Sequence, residues 1–405
     1  MRSITAIKRS RLPFWSYIFV LLYQGWMSAV ISGQEQSRAQ DSETPVKKPP
    51  LRVVVDPRVE LMSIIFRLAG NPEYGRGKVD SYAKDVEKQF GEFRTHPAVK
   101  MAQKLRQRRG VSYDACMNIA VYLSDADKCK ERVPLDPRPE ELDGRWQIDE
   151  AREFLTTIRQ FVKDTHFEEF IAAHRTLYET TQSRMKDLLD KEAHLEWFDE
   201  FFGPRPGVSF TVVLGLLNGP NNYGARLLTA DGQEELYCVL GVWATDGKGL
   251  PAFDRSMMET VVHEFCHSYA NPIIDRHEKD LESAGEKIFP GVEAAMQRQA
   301  YGQWKTMMYE SLVRACTLRY TLHYDGRLAY MKATFGEKQR QFLWIGQLAK
   351  LLGDYENDRE RYRDLEAFAP KIVAFFNDYA EKLDNDQKAK SAISPDVPFA
   401  TPAKD

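Results

Sequence analysis

The sequence predicts a predominantly helical α+β domain with a small antiparallel sheet, and three observations predict it. Apolar residues recur at three- and four-residue spacing through most of residues 51–203 and 325–383. Between Val208 and Trp243 that period gives way to short β-type runs, divided by the turn dipeptides Asn218-Gly219 and Asp231-Gly232. With 405 residues, 43% of them hydrophobic, the chain is long enough to bury such a core in one large domain or two lobes.

Residues 1–33 read as a secretory signal. Lys8, Arg9 and Arg11 precede an apolar run over residues 14–30, and Ser28, Ala29, Ser32 and Gly33 supply the small residues of a cleavage region. The expectation is export, periplasmic or extracellular, with an uncleaved N-terminal anchor as the alternative. No Cys ends the run, which argues against a lipoprotein. Residues 34–50 are polar, end in Lys47-Lys48-Pro49-Pro50, and read as a disordered linker.

The ordered domain is expected over residues 51–383. A β-branched run at 51–55 leads to Asp56-Pro57, an N-cap and first-turn proline for a helix through Val59, Leu61, Ile64, Ile65 and Leu68. Residues 51–203 form a helical N-terminal part, with helices at 82–93, 97–108 and 113–123 and two long segments between Asp149 and Phe202. Residues 204–324 hold the sheet and a candidate metal site. The runs 208–217, 223–229 and 235–243 read as an antiparallel meander, Asn271-Pro272 as the end of the next helix, and residues 291–324 as a later one. Residues 325–383 add C-terminal helices, and 384–405 read as a disordered tail.

Charge and cysteine content exclude some classes. The chain carries 56 basic and 59 acidic residues, net −3, and loss of the four basic residues of the signal takes this to −7. Such a balance does not suit nucleic acid. No second apolar run of membrane-spanning length follows the first. Five cysteines leave at least one unpaired, so the fold rests on its core rather than on disulfides.

The chemistry concentrates in Val262-His263-Glu264-Phe265-Cys266-His267. On a helix, residues four apart share a face, so His263 and His267 both reach one Zn²⁺ while Glu264 lies at its rim. Neutral imidazoles leave the ion its charge, and a carboxylate beside it suits a general base. Cys266 points about 100° away around the helix and reads as a buried small hydrophobe.

Two histidines hold zinc weakly, so a third protein ligand is required. Ala270 and Ile273 stand where the metzincin pattern needs Gly and His, which excludes that class. Asp275 and His277 are near in sequence. Glu310 is the strongest candidate, since a glutamate among Met307, Val313 and Ala315 must pair or coordinate. Arg314, one turn on, is either its ion-pair partner or the group that orients it.

His263-Glu264-x-x-His267 with Glu310 on a later helix resembles the gluzincin class of zinc metallopeptidases. That resemblance implies a zincin-like domain, one zinc on His263, His267 and Glu310, Glu264 as catalytic base, and a Tyr or His stabilising the oxyanion, for which Tyr301, Tyr309, Tyr320 and His323 are candidates. A wider resemblance rests on Asp56-Pro57-Arg58-Val59-Glu60-Leu61, His96-Pro97-Ala98-Val99, Asn222-Tyr223-Gly224 and the histidine stretch through Pro272. It points to the exported bacterial family labelled domain of unknown function 4932. A sheet edge near Asn222 and Tyr223 would let an extended peptide add by main-chain hydrogen bonds. The expected activity is peptide hydrolysis. A non-catalytic envelope scaffold and a zinc hydrolase of a non-peptide amide are the alternatives.

Overall fold

The computed structural model of the protein describes residues 51–393, with side chains as far as Asn385. The expected signal and linker, and residues 394–405 of the expected tail, lie outside the described residues. The described chain is predominantly helical with one small sheet, an α+β arrangement.

Strand β1 (Leu51–Val54) enters the sheet first. The helix Pro57–Leu68 follows, started as its sequence dictates: Pro57 occupies the first turn and Asp56 Oδ1 accepts the Arg58 N–H at 2.9 Å. Strands β2 (Val208–Gly215), β3 (Asn222–Leu228) and β4 (Glu234–Gly241) complete a sheet of order β1-β2-β4-β3. β1 pairs with β2 and β2 with β4 in parallel; only β3 and β4 are antiparallel.

The sheet is therefore not the expected meander. The Asn218-Gly219 turn does not fold β3 back onto β2. Asn218 is buried, its Oδ1 accepts from Ser63 Oγ at 3.0 Å, and Gly219 adopts φ +60°. A Cβ at Gly219 would stand 2.6 Å from the Arg76 carbonyl. The turn is thus docked against the N-terminal helical part, and β3 lands on the far side of β4. Asp231-Gly232 does form the expected hairpin: the Thr229 N–H donates to the Gln233 carbonyl at 2.9 Å, and Gly232 takes φ +79°.

Helices cover both faces of the sheet, which is why β2 and β4 are buried almost continuously rather than alternately. Asp114–Val121 packs against β3 on the side of Tyr223, and Met258–Arg276 packs against β3 and β4 on the side of Gly224. Between Phe202 and Ile148, counting backward, the two expected long segments are four helices: Ile148–Asp164, Phe167–Ala173, Arg175–Glu192 and Glu196–Phe202. Residues 122–147 hold no helix. A short ribbon of β5 (Ala244–Thr245) and β6 (Pro251–Ala252) leads into Met258–Arg276.

Met258–Arg276 continues through Asn271-Pro272, the expected stop. Proline cannot donate to the carbonyl four residues back, that of Ser268. Arg205 Nη1 donates to that oxygen at 3.0 Å instead, so the orphaned acceptor is satisfied and the helix runs on for another turn. The expected helix over 291–324 is divided into Glu293–Arg298 and Trp304–Tyr324, separated by the extended residue Gln303. Gly326–Gln339, Ile345–Asn357 and Leu365–Ile393 follow. The last of these passes the expected tail boundary at Asp384, through a stretch of Lys, Ala and Gln that favours helix. All five cysteines are free and buried. No helix among the described residues is long and apolar enough to cross a membrane.

Candidate metal centre

The helix Met258–Arg276 carries His263, Glu264 and His267, and packs along Trp304–Tyr324, which carries Glu310. One turn apart, the two imidazole rings meet edge to face, with their Nε2 atoms 3.2 Å apart. Glu310 spans them: its Oε2 lies 3.5 Å from His263 Nε2 and its Oε1 3.5 Å from His267 Nε2. Tetrahedral zinc with bonds of about 2.0–2.1 Å sets its ligand atoms about 3.3–3.4 Å apart; the two imidazole nitrogens stand near that spacing, and one ligand atom from each of the three residues lies within 4.8 Å of the others. Two imidazoles and one carboxylate form a donor set that fits zinc. Among the described residues no other group of three His, Cys, Asp or Glu brings ligand atoms so close.

Protonation favours the same use. Burial holds the His263 imidazole well below its ordinary pKa, leaving it neutral. His267 Nδ1 lies 3.2 Å from Asn271 Oδ1, a contact that turns the ring so that its Nε2 faces His263 and Glu310. Asn271 thus lies in mid-helix, one turn beyond His267, and does not end the helix as expected. Burial pushes the Glu310 carboxyl up, but the neighbouring Arg314 guanidinium outweighs it and, with the Tyr301 hydroxyl, holds the carboxyl below the usual carboxylate range. Glu310 is ionised.

Arg314 is the centre of a buried chain of charge. Its Nη2 donates to Glu310 Oε2 and to the Tyr301 hydroxyl, each at 2.9 Å, and its Nη1 to the two oxygens of Glu337 at 3.0 and 2.9 Å. Arg340 Nη1 closes the chain on Glu337 Oε1 at 2.9 Å. The guanidinium also lies over the Phe342 ring, 4.9 Å from its centre.

Glu264 sits beside the donors, 8% exposed. Burial, with a contribution from Glu310, pushes its carboxyl up to about 7, while His267, Arg314 and a hydrogen bond from the Gly224 N–H act in the opposite sense. That bond joins the histidine helix to strand β3. The two approach closely, since a Cβ at Gly224 would stand 2.7 Å from the Glu264 carbonyl oxygen.

Two clefts flank the donors. One, of about 420 Å³, lies on the side of His263 and Glu264 and is bordered by Asn222, Trp243 and Tyr301. The other, of about 590 Å³, lies on the side of His267 and is bordered by Gly224, Arg205 and Arg226. Strand β3, at one edge of the sheet, borders both and so passes the donors from one cleft to the other.

The structure brings some sequence candidates to this place and removes others. Tyr301 borders the cleft beside Glu264. Tyr309 instead donates its hydroxyl to Asp275, Tyr320 accepts the His194 N–H at 3.3 Å, and His323 is exposed against Tyr324. Asn222 borders the cleft and its Oδ1 accepts from the Gly241 N–H and Trp243 Nε1 at 3.1 and 3.2 Å. Tyr223 does not: alternation along the strand turns it to the opposite face, toward Glu73 and Cys116. The rival ligands are engaged elsewhere, Asp275 with Lys305 at 2.7 Å and His277 with Asp280 and Glu366 at 3.4 and 3.7 Å.

Sequence reasoning missed Glu337, Arg205, the close approach of Gly224 to Glu264 and the role of Asn271. Asn271 was within reach, because it stands four residues after His267 as His267 stands four after His263. Neither a curated protein nor a solved structure matches the chain. A family model does match, over residues 51–375, which takes in the sheet and all three donors. The chain belongs to the family described as domain of unknown function (DUF4932).

Proposed function

We propose that the protein is an exported, zinc-dependent metallopeptidase of the gluzincin kind with a zincin-like domain. The observation that carries this is the convergence of His263 Nε2, His267 Nε2 and the Glu310 carboxylate at separations of 3.2–3.5 Å, beside a fourth residue, Glu264, that can carry a proton. A zinc ion held by the three supplies Lewis acidity, acidifying bound water and polarising a carbonyl.

The chain's own residues supply the rest. Glu264, with a carboxyl near neutrality before a cation is added, accepts the proton of the attacking water and passes it to the leaving nitrogen. Arg314 and Glu337 hold Glu310 in one orientation, and Asn271 does the same for His267. The outer edge of β3 offers main-chain groups to an extended peptide lying across both clefts. Tyr301, which borders the cleft beside Glu264, is the candidate to meet charge that develops on the substrate oxygen, once its hydroxyl turns from Glu310. The apolar run of residues 14–30 supports export.

The test is metal content by mass spectrometry alongside hydrolysis of a mixed peptide library. Wild type should hold one zinc per chain, and His263→Ala and Glu310→Ala should lose it. Glu264→Gln should keep the zinc and lose hydrolysis by roughly 10²–10⁴-fold. Zinc with no Glu264-dependent turnover on peptides or other amides would instead make the protein a scaffold, and absence of zinc from wild type would sink the reading altogether.

A further inference from the structure

The helix Gly326–Gln339 turns one face to water with no part of the described chain against it. Leu328, Met331 and Phe335 are 68%, 55% and 64% exposed, and their three- and four-residue spacing makes them a single stripe. The stripe is unusual in this chain. Of six large hydrophobic side chains exposed among the described residues, these three and Leu343 fall within residues 328–343.

Basic residues border the stripe on both sides. By helical rotation Lys332 stands on one flank and Arg327 and Lys338 on the other, all exposed. Among the described residues none of the three has an ion-pair or side-chain hydrogen-bond partner. The helix has one acid, Glu337, and that is buried on the opposite face and held by Arg314 and Arg340. An apolar and basic surface thus stands on a chain whose net charge is −3.

That charge pattern decides between occupants. A second copy pairing through the same face would crowd Arg327, Lys332 and Lys338 of both chains around the shared stripe, with no exposed carboxylate on the helix to meet them. A bilayer carrying anionic headgroups answers both features, taking the apolar side chains at the acyl boundary and the cations at the phosphates. We propose that the Gly326–Gln339 helix docks the protein on an anionic membrane surface, with Leu328, Met331 and Phe335 inserted and Arg327, Lys332 and Lys338 at the lipid phosphates. Contact is peripheral, as no described helix is able to span a membrane. Because Glu337 on the inner face holds Arg314, docking would set the metal centre beneath this helix, with about one helix diameter, 10–12 Å, between lipid and the buried charge chain.

The experiment uses the full chain with Phe335→Cys carrying an environment-sensitive fluorophore, and Glu168→Cys, in the N-terminal helical part, as the control. The five native thiols are buried, so labelling falls on the introduced one. The vesicles are phosphatidylcholine with a third phosphatidylglycerol, or phosphatidylcholine alone. The expected result is a blue shift at residue 335 and not at 168, with affinity at least about tenfold lower on neutral vesicles and in Lys332→Glu/Lys338→Glu. Met331→Ser/Phe335→Ser should lower co-flotation with anionic vesicles by a similar factor. A label at 335 that stays in water on anionic vesicles overturns the proposal, even if another segment binds them. So does a concentration-dependent dimer that Phe335→Ser abolishes, since a second copy would then cover the stripe. The outcome is independent of zinc and of hydrolysis.

Discussion

Arg314 Nη2 stands 2.9 Å from Glu310 Oε2, one helical turn away, while its Nη1 is taken by both oxygens of Glu337 from a different helix. The Glu310 carboxylate is therefore oriented from outside its own helix. Glu337→Gln should keep all three donors but lower zinc affinity by roughly tenfold or more, measured by competition with a chelator of known affinity. Equal affinity in wild type and variant would show that Glu337 serves stability alone.

Gly224 makes its own prediction. A methyl group there meets the Glu264 carbonyl oxygen at 2.7 Å, and neither backbone can yield without moving. Gly224→Ala should cost about 1–3 kcal/mol in denaturant unfolding, together with a loss of activity larger than the loss of zinc. Gly232→Ala is the comparison. It has open space around it, so its cost comes only from its positive φ.

Glu60 gives the fold a dependence on pH that is separate from the metal centre. It is fully buried, accepts the Leu216 N–H at 2.9 Å and the Tyr82 hydroxyl at 2.7 Å, and burial raises its carboxyl to about 7. The unfolded chain releases this proton near 4.5 and the native chain keeps it until about 7. Between those values the native state binds more protons, so stability falls as pH rises, by about 3 kcal/mol in all, and then stays level. In Glu60→Gln the amide can still accept from Leu216 and donate to Tyr82. The difference in unfolding free energy between variant and wild type should therefore move in favour of the variant from pH 4.5 to 7; a flat difference would count against the assignment.

Arg205 bridges the proline in the histidine helix through the Ser268 carbonyl and also reaches Glu234 at 2.5 Å. Arg205→Met should leave the Ser268 carbonyl without its donor, while Glu234 keeps Arg226. The expected cost is about 1–3 kcal/mol in thermal or denaturant unfolding, with faster amide exchange in the last turns of Met258–Arg276.

How far the sequence was readable follows from the range of each interaction. His263, Glu264 and His267 declare themselves because helical periodicity converts a four-residue spacing into proximity. Glu310 is legible for a different reason: a carboxylate in an apolar helix must have a partner. Glu337 gave no such sign, since its partner lies 23 residues earlier on another helix and the sequence around it is ordinary. The sheet order was hidden in the same way. Asn218-Gly219 and Asp231-Gly232 are equivalent as local turn signals, yet only the second closes a hairpin, because Ser63 and Arg76 from the distant N-terminal part capture the first. The stop expected at Pro272 failed through Arg205, 63 positions from the carbonyl it satisfies.

The five buried thiols bear on how such a chain would mature. Burial raises the pKa of every one of them, so little thiolate, the form that attacks disulfides and oxidants, exists at neutral pH once the core has closed. In an oxidising compartment the hazard falls before closure, while Cys116, Cys129, Cys238, Cys266 and Cys316 are still open to cross-linking. Refolding yield should then depend on keeping the unfolded chain reduced, whereas the finished protein can be stored in air without a thiol reagent. Dispensing with dithiol reductants also spares a bound zinc from a competing chelator.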